Sequence, residues 1–114
     1  MEPTVPIVFL GRFTTLAGAH EFNTAPLNVV AFDSIELYVW RGAMPAGAGF
    51  SLTLQGSVDR DQWIDLISGS PSANTEITLT TDLSRTWLRA QAELTGTGVP
   101  YGCFYAIGNL IRRR

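Results

Sequence analysis

Apolar and polar residues alternate along several stretches of this chain, and a period of two places the apolar side chains on one face of a β-strand. The clearest stretch runs from residue 50 to residue 58, with Ser, Thr or Gln between apolar positions occupied by Phe50, Leu52, Leu54, Gly56 and Val58. Two later stretches repeat the pattern, with inward positions at Ile77, Leu79, Leu88, Ala90, Ala92 and Leu94. Strands that are apolar on one face only are typical of antiparallel sheets.

Further strands are predicted between clusters of turn-forming residues, at Ile7–Phe13, Leu27–Phe32, Ser34–Arg41, Gln62–Ile67 and Tyr101–Leu110. About eight short strands without a helical period predict an all-β, single-domain antiparallel β-sandwich or jelly roll. A small closed barrel is the alternative.

With 114 residues, the chain is long enough for one hydrophobic core and too short for two. We predict an extended N-terminal arm at residues 1–6, a β-sandwich domain at 7–111 and a basic tail at 112–114. Pro3 and Pro6 lack backbone donors and favour an extended arm, which either lies across a neighbouring subunit or is a frayed end. The tail, Arg112, Arg113 and Arg114, either contacts an acidic surface or phosphate or is simply solvated.

The composition is rich in apolar residues and poor in charge. Hydrophobic residues make up 46% of the chain and charged residues 16%, against about 25% charged in ordinary domains. This excludes a disordered chain and predicts a surface that is partly covered by partners. The net charge of −2 argues against direct nucleic-acid binding. All eight basic residues are arginine, which reflects either interface contacts or a coding bias.

The sequence predicts neither export nor membrane insertion. Residues 1–6 lack the basic and then apolar stretch of a signal peptide, and no apolar run approaches the ~18 residues of a membrane span.

Residues that could support catalysis are scarce. His20 is the only histidine, no serine lies in a Gly-x-Ser-x-Gly motif, and Cys103 lies in an apolar run that predicts a buried, inert thiol. We therefore expect no enzyme and no cofactor. Asp59, Asp61 and Asp65 suggest a calcium site, but we interpret Asp59 as the residue that holds a hairpin turn, and expect no metal.

Aromatic residues on outward faces mark candidate contact surfaces. Tyr38 and Trp40 lie opposite Ile35, Leu37 and Val39, and Trp87 shares its outward face with Arg89. Protein, carbohydrate or a crossing loop could cover such rings, and we favour protein. The candidate partner contacts are Pro3, Val5, Pro6, Tyr38, Trp40, Trp87, Arg112, Arg113 and Arg114. For sugar binding the candidates are Trp40, Trp87 and Tyr101.

The segment from Leu52 to Leu66, with Thr86–Ala92, resembles a pattern of small β-sandwich virion structural proteins of tailed bacteriophages and of discoidin-like modules. In that pattern a strand ends in Gly-Ser-x-Asp, a Trp opens the next strand, and a later strand has an aromatic-x-Arg segment. The matching residues are Gly56, Ser57, Asp59, Trp63, Leu66, Trp87 and Arg89. The usual glycine after the turn aspartate is Arg60 here.

This resemblance implies a non-enzymatic virion component: a capsid decoration, cement or minor head protein, or a tail protein. Its partners would be capsid or tail proteins and further copies of itself. In that function many modest interfaces act together on a lattice. The alternative that we keep is a carbohydrate-binding β-sandwich module of a phage tail.

Overall fold

The structure is a computed structural model that describes residues 4–18 and 21–112. Within these residues the chain forms nine strands: β1 (Thr4–Ala17), β2 (Glu21–Asn23), β3 (Leu27–Asn28), β4 (Ser34–Arg41), β5 (Gly49–Ser57), β6 (Ile64–Gly69), β7 (Thr75–Asp82), β8 (Trp87–Thr95) and β9 (Tyr101–Ile111). No helix that could cross a bilayer is present in the described part of the chain.

The strands form two antiparallel sheets packed face to face. We call β1, β9, β4 and β7, in that order, the front sheet. The back sheet has the order β2, β8, β5, β6, and because β3 also pairs with β8, β2 and β3 are two pieces of one broken edge strand. Counted that way, the eight strands have the order of a jelly roll. The predicted all-β sandwich is confirmed, and the two separate sheets rule out the closed barrel.

The pairing is nested around a single turn. β5 pairs with β6, β4 with β7, the broken strand with β8, and β1 with β9. The chain is therefore one long hairpin that is rolled up, and its tip is the turn at residues 58–63. The tip lies within the segment from Leu52 to Leu66.

The core lies between the inner faces of the two sheets. Ile35, Leu37 and Val39 of β4 are fully buried, as are four leucines of the back sheet: Leu52, Leu54, Leu88 and Leu94. Phe50 stacks on Phe104 of the opposite sheet with ring centroids 4.2 Å apart. Each such side chain contributes about 1.5–3 kcal/mol by leaving water, so the alternation seen in the sequence is what holds the sheets together.

Two predictions about the strands need correction, and one strand was missed. Of the strand predicted at Leu27–Phe32, only Leu27–Asn28 forms, because the Asn28 side chain accepts the Val30 amide and the Phe32 amide donates to the Val29 carbonyl, which makes a turn. Strand β2 was not predicted. Val58, placed on the inward face, is 62% exposed because β5 ends at Ser57.

The first described residues belong to the sandwich, whereas the sequence predicted an arm over residues 1–6 and a domain that starts at residue 7. Thr4, Val5 and Pro6 begin β1 and pair with Ile111, Leu110 and Asn109 of β9 in the same chain. A contact of the arm with a neighbouring subunit stays a prediction, and Met1, Glu2 and Pro3 lie outside the described residues.

Candidate functional site

The two outer faces of the sandwich carry different candidate residues. Tyr38 and Trp40 lie on the outer face of the front sheet, and Trp87 lies on the outer face of the back sheet, so the structure does not bring them together. Arg112 is exposed after β9. His20, Arg113 and Arg114 lie outside the described residues.

Side chains on the outer face of the front sheet form rows across the strands, because directly paired residues of antiparallel strands point to the same side. One row is Glu76, Trp40 and Tyr105; a second is Thr78, Tyr38, Ile107 and Val8; a third is Thr80, Glu36, Asn109 and Pro6. The middle of this face is apolar and aromatic.

The first row belongs to an aromatic cluster, which we define as Phe13, Trp40 and Tyr105. Trp40 and Tyr105 are stacked, with centroids 5.5 Å apart and an angle of 12° between the ring planes. Phe13 approaches Trp40 edge-on at 5.7 Å. Ring pairs in these geometries are favourable beyond the area that they bury, so the three rings stabilise one another.

Charged groups border this cluster on opposite sides. The Arg12 guanidinium lies 4.7 Å from the centre of the Tyr105 ring, and the Tyr105 hydroxyl donates to the Glu76 carboxylate. That hydrogen bond raises the pKa of Tyr105, and burial adds to the effect. The Tyr38 hydroxyl donates in the same way to Glu36, which raises the pKa of Tyr38. Both phenols are therefore neutral donors near pH 7.

Strand β1 departs from regular pairing next to the cluster. Its register shifts between Val8 and Leu10 and again between Leu10 and Thr14. Phe13, in the second irregular stretch, has a φ of 62°, a region that bulky side chains rarely adopt. The ring is nevertheless 64% exposed. Strain of this kind concentrates at functional positions, so Phe13 is a candidate contact residue.

A shallow groove of about 420 Å³ continues this surface along β1 and β9. Tyr38 and Ile107 border it on one side, and Val8 and Arg12 border it on the other. Val8 is 63% exposed. The groove and the aromatic cluster together form one largely apolar surface.

The sequence pattern indicated Pro6, Tyr38 and Trp40 of this surface and missed the remaining residues. The alternation in β9 could have revealed Tyr105 and Ile107, since Phe104 and Ala106 face inward. Phe13 could not be found in that way, because its position depends on irregular backbone. Cys103, predicted to be buried, is half-buried and is paired with Thr15 of β1.

The outer face of the back sheet is polar. Arg89 Nε donates to Gln55 Oε1 at 2.8 Å, and Gln55 Nε2 donates to Asp65 Oδ1 at 2.9 Å. The Arg89 guanidinium also lies 4.3 Å from the centre of the Trp63 ring. These contacts satisfy Arg89, Gln55 and Asp65 within the chain.

The tip turn is held by Ser57 and Asp59. Ser57 Oγ accepts the amides of Asp59 and Arg60, and Asp59 Oδ1 accepts those of Asp61 and Gln62 at 2.9 and 3.0 Å. These amide hydrogen bonds lower the pKa of Asp59. No three or more acidic, Cys or His side chains come together as a metal site in the described residues.

Arg60 follows the turn aspartate, and its φ is 65°, in the left-handed region that glycine prefers. Its guanidinium lies 4.6 Å from the centre of the Trp87 ring. The cation–ring contact offsets the backbone cost, and it also covers one face of Trp87.

No protein-family model matches the chain, and no curated protein matches its sequence. Its fold is similar to that of several solved structures. The PBSX exported protein XepA matches with a TM-score of 0.76 and 10% identity over 96% of this chain and 38% of the XepA chain. This chain thus spans less than half the length of XepA.

The SPBc2 prophage-derived protein YomS matches with a TM-score of 0.60 and 11% identity over 96% of this chain and 95% of its own. A chain in the structure of infectious bursal disease virus Gt strain matches with a TM-score of 0.59 and 8% identity, over 97% and 32% of the two chains. At these identities the likeness shows the fold alone: this chain has a jelly-roll fold that also occurs in a prophage-derived protein and in a virus structure.

Proposed function

We propose that this chain is a non-enzymatic structural protein of a bacteriophage particle that assembles through the outer face of its front sheet. Within that role we favour a capsid decoration, cement or minor head protein. Its likeness in fold to YomS and to a chain of a virus structure supports a particle component. The proposed location is therefore the virion, and the partners are capsid or tail proteins and further copies of the chain.

The difference between the two outer faces is the observation that carries this proposal. The back face carries the bonded side chains of Arg89 and Gln55, whereas the front face exposes the apolar side chains of Val8 and Phe13. Contiguous apolar surface of this kind marks a protein–protein contact. In a lattice, many copies of a modest contact give a strong attachment.

The proposal is tested by adding the purified chain to particles from a phage that lacks its gene. We expect saturable binding at symmetric positions, visible as added density by electron microscopy. Tyr38→Arg should weaken binding because it places a charge in the apolar face, and Thr53→Arg, on the outer face of the back sheet, is the matched control. Failure of the unmodified chain to bind, or equal loss in both variants, would contradict the proposal.

Sugar binding is the second candidate, and the exposed ring of Tyr101 favours it. Against it, Tyr105 stacks on Trp40, and the Arg60 guanidinium lies over the Trp87 ring. Binding on a glycan array, with a change in tryptophan fluorescence that Tyr101→Ala abolishes, would support this function. A silent array would leave the structural proposal standing.

A further inference from the structure

We propose that the outer face of the front sheet binds the same face of a second copy of this chain, around a two-fold axis that runs parallel to the strands midway between β4 and β9. This inference rests on the proposed function, because it identifies the first partner of the assembly surface. It makes the building block of that assembly a symmetric dimer.

The order of the strands makes the face compatible with such an axis. The front sheet has the order β1, β9, β4, β7, so rotation about a line between β4 and β9 exchanges β1 with β7 and β9 with β4. Because the axis is parallel to the strands, the rotation leaves the position of each row along the strands unchanged. Each side chain therefore meets a residue of its own row in the other copy, as an isologous contact requires.

The charges on this face complement each other under that rotation. Arg12 lies beside Tyr105 on the β1 side of the first row, and Glu76 lies on its β7 side. In the dimer Arg12 of one copy meets Glu76 of the other, and symmetry produces this contact twice. In the third row Glu36 meets Asn109, so no two acidic groups are placed opposite each other.

The apolar side chains also match. In the second row Tyr38 meets Ile107. In the first row Tyr105 is only 8% exposed, so Trp40 and the neighbouring Phe13 make the contact there. Val8 meets Thr78 of the other copy, so the apolar match is limited to the two central strands, and the exposed side chains of β1 lie over polar residues of β7. Ring and aliphatic contacts at the centre with charges at the border are the usual anatomy of a protein interface.

The face is large enough for a weak, reversible contact. Four strands spaced by about 4.8 Å and eight residues rising about 3.4 Å each give a face of roughly 500 Å². Two copies would bury about 1,000 Å² in total, the lower end for specific interfaces. We therefore expect a dissociation constant on the order of micromolar, which repeated contacts in a particle would strengthen.

Sedimentation equilibrium of the chain between about 1 and 200 μM tests this inference. We expect a monomer–dimer equilibrium. Arg12→Glu and Glu76→Arg should each weaken it about 100-fold, because each turns two attractive pairs into two repulsive ones at about tenfold per pair. Combining both substitutions in one chain should restore dimerisation. Glu93→Arg, an equal charge change on the outer face of the back sheet, should leave it unchanged.

A second comparison separates the effect of charge on dimerisation from any effect of the substitution on folding. Glu76→Gln can still accept the Tyr105 hydroxyl but cannot pair with Arg12, so it should weaken the dimer less than Glu76→Arg while unfolding at the temperature of the unmodified chain. A chain that stays monomeric throughout the concentration range, a larger assembly without a dimer, or a double variant that fails to recover would each overturn the proposed two-fold contact.

The result is distinguishable from failure of the proposed function. A monomer that still occupies symmetric positions on the phage particle would overturn the dimer and keep the structural role. A dimer that has the expected charge dependence but never binds particles would overturn the structural role and keep the dimer.

Discussion

Replacing Gly108 with alanine tests the close approach of β9 to β4. Gly108 is paired with Leu37 on β4 and with Ile7 on β1, in the middle of the front sheet. A methyl group at this position would overlap the carbonyl oxygen of Glu36 and lie 2.8 Å from Cα of Leu37. Both atoms belong to backbone, which cannot rotate away as a side chain can. The two strands must therefore separate by about 1 Å to restore normal contact distances.

The cost follows from what that separation breaks. Forcing an extra carbon into packed structure costs about 1–3 kcal/mol, and each backbone hydrogen bond that lengthens loses about 1 kcal/mol. We expect Gly108→Ala to lower the free energy of unfolding by about 3 kcal/mol. In a domain of this size that corresponds to a melting temperature lower by about 12 °C.

Urea unfolding followed by circular dichroism measures this effect, and Gly11→Ala is the matched control. A methyl at Gly11 would lie 3.7 Å from Thr14 Oγ1, an ordinary contact, so this variant should be unchanged or more stable by up to about 1 kcal/mol. If Gly108→Ala and Gly11→Ala unfold at the same urea concentration, the β4–β9 spacing described above is wrong.

Three further predictions concern stability. Asp59→Asn removes a carboxylate whose pKa the turn lowers, so the unmodified chain should have a higher free energy of unfolding than this variant at neutral pH. The difference in unfolding free energy should disappear as the pH falls from about 5 to 2, because the carboxylate becomes protonated. A difference that does not depend on pH would contradict this. Ser34→Ala removes a buried hydroxyl that has no hydrogen-bond partner among the described residues, so it should raise the unfolding free energy by about 1 kcal/mol, measured by urea unfolding; a loss would reveal a hidden partner. Arg60→Gly relieves the left-handed backbone and removes the ring contact, so stability should change by less than about 1 kcal/mol while the indole NMR signal of Trp87 shifts; an unshifted signal would contradict the contact.

Regular alternation made most of the fold predictable. Strand β4 has the predicted bounds, and β5, β7 and β8 differ from prediction by a residue or two at their ends. Every second residue of these strands is buried in the core and must be apolar, which produces the period of two. The broken edge strand was not predicted correctly because its pieces are short and a local turn at Asn28 interrupts it.

The candidate site was less predictable, for a different reason. Tyr38 and Trp40 belong to a regular strand, so the alternation of its residues predicts which side chains share a face. Phe13 joins them only through backbone irregularity in β1, and Arg12 and Glu76 come together with the cluster only through pairing between distant strands. Such pairings depend on register, which local sequence does not specify.

Nested pairing around a single tip has a consequence for the order of folding. The β5–β6 hairpin closes a loop of a few residues, whereas β1 can find β9 only after nearly the whole chain has been ordered, since Thr4 pairs with Ile111. Closing long loops first is entropically unfavourable. Pairing should therefore spread outward from the tip, and the strand that presents Phe13 should be the last to dock. The surface proposed for assembly would then be completed only on molecules that have finished folding, so the proposed assembly would exclude immature subunits.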